Sequence, residues 1–438
     1  MRQLFIPSSM MLALALGGCG GSNGGSTLPQ HIAATSSAQR TLRTPLGPTS
    51  IQPATSNAKS QVPLCVKPAD SAHAGCFATL RTDSVITAKF PDAVNGLTPN
   101  DISSLYAYPA PGAQGSAGSA QTVAIVVVGD YALAESDLGV YRSFFRLPPC
   151  TTANGCLLKT ANVTPTNITD TGGATSIAAH AATAAGWAAE TDADIEIISA
   201  VCPNCKIMIS EAPTNSIGDL SYAVSNAAYA GATIVNASFG AAESSIDSSF
   251  GWAYDNINNV KVVAAAGDWG YGVYFPASYR NTIAVGGTSL SINGSTVSER
   301  AWSGTSSGCS TYFPTPSWQH VPAVSNACQQ RNDVDVAAVA DPNTGVAVYD
   351  SSLSGTSGGW ATFGGTSIAA PIITGMYALT GDTVRNAGAQ TLYTASSRSF
   401  LQVTSGSDGI CNPQYLCTAV PGYNGPTGLG IPQGLGGF

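Results

Sequence analysis

The sequence predicts a three-layer α/β fold in which a central, mostly parallel sheet is flanked by helices. The first predicted strand, QTVAIVVVG at residues 121–129, is short, continuous and rich in β-branched residues, as strands buried on both faces are. Segments with a helical pattern lie between several such runs, and this alternation is typical of parallel sheets covered by helices. Apolar residues make up 44% of the 438 residues, which is ample for a large core.

Four further runs have the same strand pattern: KIMIS at residues 206–210, ATIVNAS at 232–238, KVVAAAG at 261–267 and NTIAVGG at 281–287. The predicted helices are residues 175–200, 217–230, 246–258 and 367–379. In open α/β sheets, functional sites lie at the carboxyl ends of the strands. We therefore expect the site of this protein at that edge of the sheet.

Residues 1–19 are predicted to be a lipoprotein signal peptide. They contain Arg2, an apolar run through Leu16 and then Gly-Gly-Cys19, which is the pattern of a secretory signal. The Leu-Gly-Gly-Cys ending resembles a bacterial lipobox with Cys19 as the lipidation site, and Gly20 after it favours the outer membrane. The alternative is an ordinary signal peptide with an incidental cysteine. We expect an exported lipoprotein that faces the periplasm or the cell surface, or is released extracellularly.

The rest of the chain divides into a tether and one domain. Residues 20–63 are rich in Gly, Ser, Thr, Ala, Gln and Pro and are predicted to be a low-complexity tether, followed by a single domain at residues 64–438. No later apolar run is long enough to span a bilayer, so membrane contact is expected only through the lipid. Charged residues make up 10%, with a net charge of -8, which argues against nucleic acid as a partner. A monomer is the default expectation.

The cysteines predict disulfides. Eleven are present, and ten remain without Cys19, an even number in an oxidising compartment. The Cys202-Pro-Asn-Cys205 motif could instead be a redox pair or half of a zinc site, but it follows a helical stretch and no second C-x-x-C exists. Pairing between neighbours in the sequence gives Cys65–Cys76, Cys150–Cys156, Cys202–Cys205, Cys309–Cys328 and Cys411–Cys417.

Ser367 is the candidate nucleophile. It lies in ATFGGTSIAAP at residues 361–371, where a turn of small residues leads into an apolar helix and directs the helix N-terminus at the reaction centre. The Gly-Thr-Ser…Ala-x-Pro pattern resembles the nucleophile motif of the subtilisin-like superfamily. The alternative is a serine that only caps a buried helix. A serine nucleophile also needs a base, a group that orients the base and donors for the oxyanion.

Histidine is the usual base of subtilisins, and four histidines are present: His31, His73, His180 and His320. Only His180 lies on a predicted helix, and it lacks the His-Gly-Thr-His neighbourhood of subtilisins. A subtilisin-like peptidase that uses His180 remains an alternative, with a neutral pH optimum.

Glu190 and Asp194 are the other candidates for the base and its orienting group. They lie four residues apart in GWAAETDADIEIISAV, so on a helix their side chains share one face, whereas Asp192 points elsewhere. Two neighbouring carboxylates repel each other unless they share a proton, which raises the pKa of one of them. The alternative is an ordinary solvated acidic face.

Several motifs together resemble the serine-carboxyl peptidases, the sedolisin family, which have a subtilisin-like fold. They are Glu-x-x-x-Asp-Ile-Glu, NASFG at residues 236–240, AAAGDWGYG around Asp268, FPASYRNTIAVGGTSL at 275–290 and the motif of Ser367, and they occur in order within residues 97–434. The resemblance implies that Ser367 attacks the scissile carbonyl and that Glu190 is the general base. It implies that Asp194 orients Glu190 and that a protonated Asp268 donates to the oxyanion.

The same resemblance implies that Ser238, Phe239 and Gly240 bind the extended backbone of a protein or peptide substrate, and that peptide bonds are cleaved with an acidic optimum. The family's calcium site has lost its carboxylates here, since Gln402 and Asn424 stand in their places, so no metal or other cofactor is expected. A long prodomain is also missing between residues 20 and 96. These departures leave a second alternative, a non-enzymatic binding lipoprotein on a degenerate peptidase fold.

Overall fold

The computed structural model describes residues 38–42, 46, 61–86, 91–161, 185–255, 259–319, 328–353, 359–381 and 388–438, which lie in one compact unit, Ser36–Phe438. The side chains of residues 161 and 185 are outside this description. Cys19, His31, His180 and His320 also lie outside the described residues. The predicted signal peptide and lipidation site therefore stay predictions.

A nine-stranded sheet forms the centre of the protein, in the order β1-β13-β12-β10-β8-β5-β7-β6, with β16 also paired to β12. Strands β5, β6, β7, β8, β10, β12 and β16 pair in parallel, and β1 and β13 add an antiparallel edge. The predicted mostly parallel sheet is confirmed. Its strands are β1 Ala38–Thr41, β5 Thr122–Val128, β6 Leu157–Ala161, β7 Lys206–Ala212, β8 Ile234–Ala237, β10 Lys261–Ala265, β12 Thr282–Asn293, β13 Thr296–Ala301 and β16 Val336–Val339.

Smaller sheets surround the central one. A four-stranded sheet in the order β17-β18-β4-β2 consists of Val346–Asp350, Gly359–Gly364, Thr79–Ile86 and Gln61–Pro63. A three-stranded sheet in the order β11-β9-β3 consists of Tyr274–Phe275, Phe239–Ala242 and Gly75–Cys76. Two two-stranded pairs are β14 Cys309–Pro314 with β15 Gln330–Asn332, and β19 Phe400–Leu401 with β20 Ile431–Pro432.

Six α-helices occur in the described part of the chain: α1 Pro99–Tyr106, α2 Ala134–Phe144, α3 Ala185–Val201, α4 Ile217–Tyr229, α5 Thr366–Thr380 and α6 Gln390–Thr394. Helices α3 and α5 pack against each other, and α5 also contacts β8, β10, β12 and β16. The described side chains of both helices are almost entirely buried, so these two helices place the residues of the candidate site inside the protein. None of the described helices combines the length and the apolar character needed to cross a membrane.

The structure differs from the sequence prediction in two places. Two segments of the predicted tether are strands, because β1 pairs with β13 and is tied to it by the Arg40–Glu299 ion pair, and β2 pairs with β4. The predicted helix at residues 246–258 is instead a 3-10 helix, Asp247–Ala253, within its described part. Only Ala185–Val201 of the helix predicted at residues 175–200 is described.

All five predicted cysteine pairs are joined as disulfides in the structure. The Cys202–Cys205 pair follows α3 directly and is fully buried. Its position is that of a structural cross-link between α3 and β7.

Candidate active site

Ser367 is the second residue of α5, which begins directly after β18. The connecting residue, Gly365, has a φ of +100°, and a Cβ there would lie 1.8 Å from the carbonyl oxygen of Phe77, so only glycine fits this turn. The Ser367 side chain is fully buried. Its Oγ accepts a hydrogen bond from the Phe77 amide at 3.1 Å and donates to the Ser238 carbonyl at 3.2 Å.

Glu190 lies on α3, fully buried and within hydrogen-bond reach of Ser367. Its Oε2 accepts a hydrogen bond from the Ala78 amide at 3.0 Å. Burial raises the pKa of Glu190 well above its usual value, and repulsion by Asp194 raises it further, while the hydrogen bond with Ser367 opposes the rise. A buried carboxyl with a raised pKa beside a serine can accept the proton of that hydroxyl.

Asp194 lies one turn further along α3 and is also fully buried. Its Oδ1 accepts a hydrogen bond from the Ser238 hydroxyl at 2.7 Å, and the Asn236 amide donates to the same hydroxyl at 2.8 Å. Thr374 on α5 donates in turn to Asn236 at 3.0 Å. Asn236 and Thr374 were not predicted to belong to the site, and Ser238 was predicted only to bind substrate, whereas its side chain also holds Asp194.

Asp268 follows β10 and lies at the N-terminus of α5. Its Oδ1 accepts hydrogen bonds from the backbone amide and the hydroxyl of Thr366, at 2.8 and 2.7 Å. Its Oδ2 is buried without a hydrogen-bond partner among the described residues, and it lies 2.5 Å from the position that a Cβ of Gly365 would take. Burial raises the pKa of Asp268 to about 7, so the carboxyl keeps its proton in acid.

Phe239 and Gly240, predicted to bind substrate, are the first two residues of β9, which lies between β11 and β3. On the β3 side, Cys76 is paired with Phe239 and Gly75 with Gly240. A segment of the chain itself therefore lies along the strand predicted to bind substrate.

The acidic residues of α3 are buried rather than solvated, which excludes the interpretation as an ordinary solvated face. Glu190 and Asp194 face the candidate site, whereas Asp192 faces Asp137 on α2 and Asp350 at the end of β17. Carboxylate oxygens of these three aspartates lie within 4.8 Å of one another, a spacing that suits a shared proton or a cation. Asp192, Asp137 and Asp350 are called the second acidic cluster below.

The second acidic cluster is predicted to contribute more to the stability of the protein in acid than at neutral pH. Burial raises the pKa of Asp192 well above its usual value, and repulsion by Asp350 raises it further. Because the folded state then holds a proton that the unfolded state releases above about pH 4, this contribution to stability is complete below that pH and is lost as the pH rises. We expect Asp192→Asn to raise the free energy of unfolding at about pH 7 by about 1–2 kcal/mol, and by much less at about pH 4.

Urea unfolding of the wild type and Asp192→Asn at both pH values measures this difference. An equal effect at both pH values would show that Asp192 does not hold a proton that is coupled to folding.

The two positions at which the calcium carboxylates are predicted to be lost hold neutral side chains. These side chains already have hydrogen-bond partners within the protein. Asn424 is buried, and its amide nitrogen donates to the carbonyls of Val403 and Val420 at 3.0 and 3.1 Å. Its Oδ1 accepts hydrogen bonds from the backbone and the hydroxyl of Thr427, at 3.1 and 2.8 Å. Gln402 accepts from the amide of Gly422 at 3.1 Å. The amide nitrogen and the amide oxygen of Asn424 are thus both engaged in hydrogen bonds with the protein.

Taken together, the fold and the site are those of a subtilisin-like protein in which carboxyl groups surround a buried serine. A model of the subtilase family, peptidase S8, matches residues 146–413. Because this match covers more than half of the 438 residues, the chain belongs to the subtilase family.

The curated relatives include kumamolisin from Bacillus sp. (strain MN-32), which is 32% identical over 285 residues, covering 56% of this chain and 49% of kumamolisin. Sedolisin from Pseudomonas sp. (strain 101) is 33% identical over 184 residues, covering 38% of this chain and 29% of sedolisin. These relatives bear out the predicted resemblance of the chain to the sedolisin family. The chain spans about half of kumamolisin and less of sedolisin.

Among solved structures, Pseudomonas sedolisin, described as a serine-carboxyl proteinase complexed with two molecules of pseudo-iodotyrostatin, matches with a TM-score of 0.62 and 23% identity. The match covers 77% of this chain and 95% of that one. At this identity the match shows the fold, and it confirms the predicted subtilisin-like architecture.

Proposed function

We propose that the chain is a serine-type endopeptidase of the serine-carboxyl class, which hydrolyses peptide bonds in extended protein or peptide substrates and has an acidic pH optimum. The observation that carries this proposal is the convergence of Ser367, Glu190 and Asp268 on one backbone segment. Ser367 and Glu190 contact the consecutive amides of Phe77 and Ala78, and Asp268 borders the carbonyl between them.

In the proposed reaction, the Ser367 Oγ attacks the scissile carbonyl while Glu190 takes the hydroxyl proton. The carbonyl oxygen becomes an oxyanion, which receives hydrogen bonds from protonated Asp268 and from a backbone amide near Ser367. Glu190 then gives its proton to the leaving amine. Water hydrolyses the acyl-enzyme by the reverse use of the same groups.

Asp194 supports this role of Glu190. Oε1 of Glu190 and Oδ2 of Asp194 are buried without hydrogen-bond donors among the described residues, and the two side chains lie one helical turn apart. One proton shared between them would satisfy both oxygens and leave the pair singly ionised. The hydrogen bond from Ser238 fixes the orientation of Asp194.

An acidic optimum follows from the protonation states that the reaction needs. Asp268 must keep its proton to donate to an oxyanion, and burial raises its pKa to about 7, so the donor is present in acid and lost above neutrality. The five disulfides support export to an oxidising compartment. We retain the proposal of an exported outer-membrane lipoprotein anchored through Cys19, acting on protein substrates as a monomer.

The test is a pH profile of peptide cleavage by the purified chain, from about pH 3 to about pH 8, with Ser367→Ala beside the wild type. We expect a maximum in acid and no activity in Ser367→Ala. Cleavage that survives in Ser367→Ala would remove the serine from the mechanism. A maximum near neutrality would favour a histidine base over Glu190.

We also propose that no calcium ion of the family type binds near Gln402 and Asn424, because hydrogen bonds and the Cys411–Cys417 disulfide hold this region together. The second acidic cluster is a separate candidate for an ion, so Asp192→Asn is measured beside the wild type. The melting temperature of Asp192→Asn is expected to be the same in calcium and in EDTA. If EDTA lowers the melting temperature of Asp192→Asn as well, an ion is bound outside the second acidic cluster, and this result would contradict the proposal.

A further inference from the structure

The second acidic cluster brings together carboxyl groups from three elements of the fold. Asp137 lies on α2, Asp192 on α3 and Asp350 at the end of β17, and all three are buried. One carboxylate oxygen from each lies within 4.8 Å of the other two. This is about twice the length of a calcium–oxygen contact, which is about 2.4 Å, so the three oxygens can surround a single ion.

Asp192 is directed into the cluster without a hydrogen-bond donor. It is fully buried, and neither of its carboxylate oxygens has a partner among the described residues. Oδ2 of Asp350 is buried and lacks a partner in the same way. Because a buried carboxylate oxygen without a donor is costly, these three free oxygens indicate a ligand other than the protein's own N–H and O–H groups.

No basic side chain balances the charge of the cluster within the described part of the chain, where none of its members forms an ion pair. Glu196, one helical turn after Asp192, adds a fourth buried carboxyl, and its Oε1 also has no partner there. Asp192 is repelled by Asp350, Glu196 and Asp137. Buried carboxylates without basic partners are the groups that a metal ion stabilises.

Hydrogen bonds hold the outer sides of two of these carboxylates. Oδ2 of Asp137 accepts from the Tyr131 hydroxyl at 2.8 Å and from the amide and the hydroxyl of Ser351, at 3.1 and 2.6 Å. Its Oδ1 has a longer contact, at 3.2 Å, with the hydroxyl of Ser136. Oδ1 of Asp350 accepts from the amide two residues further on, at 2.6 Å, while its Oδ2 stays free. Outer hydrogen bonds of this kind orient the ligands of metal sites.

We propose that the second acidic cluster binds one calcium ion through Asp137, Asp192 and Asp350. Calcium prefers carboxylate oxygens and accepts irregular arrangements of about six to eight ligands. Magnesium suits this place less well, because it needs shorter contacts of about 2.1 Å and keeps several of its waters. The site is separate from Gln402 and Asn424, where the calcium carboxylates are predicted to be lost.

An ion in the cluster would tie α2 and the end of β17 to α3. The same helix carries Glu190 and Asp194, so the ion would hold α3 from the side that does not face the candidate active site. An ion that binds the folded chain and not the unfolded chain stabilises the fold. Binding and stability are measured without a substrate, so the inference does not depend on the proposed peptidase function.

The experiment titrates the metal-free chain with calcium chloride at about pH 7 by calorimetry, and compares melting temperatures in calcium and in EDTA. We expect the wild type to bind one calcium ion per chain. Asp192→Asn and Asp350→Asn should weaken binding by at least about 100-fold, because the loss of even an outer partner of a metal ligand costs about 10–100-fold. Calcium at about ten times the wild-type Kd should then raise the melting temperature of the wild type and leave that of both variants unchanged.

Glu211→Gln is the matched control. Glu211 is also a buried carboxyl, and its Oε1 has no hydrogen-bond partner among the described residues, but it lies on β7 and outside the cluster. This variant should bind calcium with the wild-type affinity. In EDTA, Asp192→Asn should keep the higher stability at neutral pH that is predicted above, which separates a loss of binding from a loss of folding.

Three results would overturn the proposal. The first is a folded wild-type chain that binds no calcium at neutral pH. The second is an equal affinity of the wild type, Asp192→Asn and Asp350→Asn, because the ion would then be bound elsewhere. The third is a loss of binding in Glu211→Gln as large as in the two cluster variants, since the effect would then not belong to the cluster.

Discussion

Replacement of Glu190 by glutamine is expected to lower kcat for peptide cleavage by about 10⁴-fold, the typical loss when a catalytic group of this kind is neutralised. Glutamine has nearly the same volume, and its carbonyl can still accept the hydrogen bond of the Ala78 amide. It cannot take the proton of Ser367, however, because a neutral amide is not a base. The fold is therefore expected to persist while the reaction stops.

Glu196 provides the matched control, because it is also a fully buried glutamate of α3. Its Oε2 accepts a hydrogen bond from the amide of Tyr349 at 2.9 Å, away from Ser367. Glu196→Gln is expected to have a kcat close to that of the wild type at the pH optimum. Equal rates in Glu190→Gln and Glu196→Gln would show that Glu190 is not the base.

The parts of the site that the sequence could predict are those fixed by local patterns. Glu190 and Asp194 share a helix face because of their spacing, and the small residues before Ser367 indicate the turn into α5. The strands at residues 121–129, 206–210 and 261–267 were predictable because each is a short, continuous apolar run. These features depend on neighbours within a few residues, which a sequence displays directly.

The missed features depend on contacts between distant segments. Asn236 and Thr374 are 138 residues apart in the chain, and nothing local indicates that one orients the other. The segment at Phe77 was assigned no role, because its position in the cleft depends on pairing with β9, more than 160 residues away. Strand β1 was hidden in a low-complexity stretch, since its order comes from β13 rather than from its own composition.

The second acidic cluster illustrates the same limit for electrostatics. The sequence showed that Asp192 points away from Glu190 and Asp194, but its partners Asp137 and Asp350 come from α2 and from the end of β17. Only the packing of these elements on α3 brings the three carboxyl groups together. The expected pH dependence of stability could therefore be derived only once the fold was known.

Replacement of Asp268 by alanine is expected to lower kcat by about 10²–10³-fold, the usual loss when one oxyanion donor is removed. Asp268→Asn should lose far less, because its amide supplies a permanent N–H where Oδ2 of Asp268 carries a proton. The asparagine carbonyl can still accept the hydrogen bonds of Thr366 that Oδ1 accepts now. Comparison of the two variants thus separates the loss of the oxyanion donor from the loss of the hydrogen bonds that this side chain accepts from Thr366 at the N-terminus of α5.

The pH dependence of the asparagine variant is the sharper test. Burial raises the pKa of Asp268 to about 7, so the wild type holds the donor proton below that pH and loses it above. An ionised carboxylate would then repel the oxyanion, and kcat should fall as the pH rises through this value. An asparagine does not titrate, so the fall in kcat near neutrality should be weaker in Asp268→Asn. If the wild type and Asp268→Asn lose activity over the same pH range, another group controls that loss, and the protonated aspartate is not the oxyanion donor.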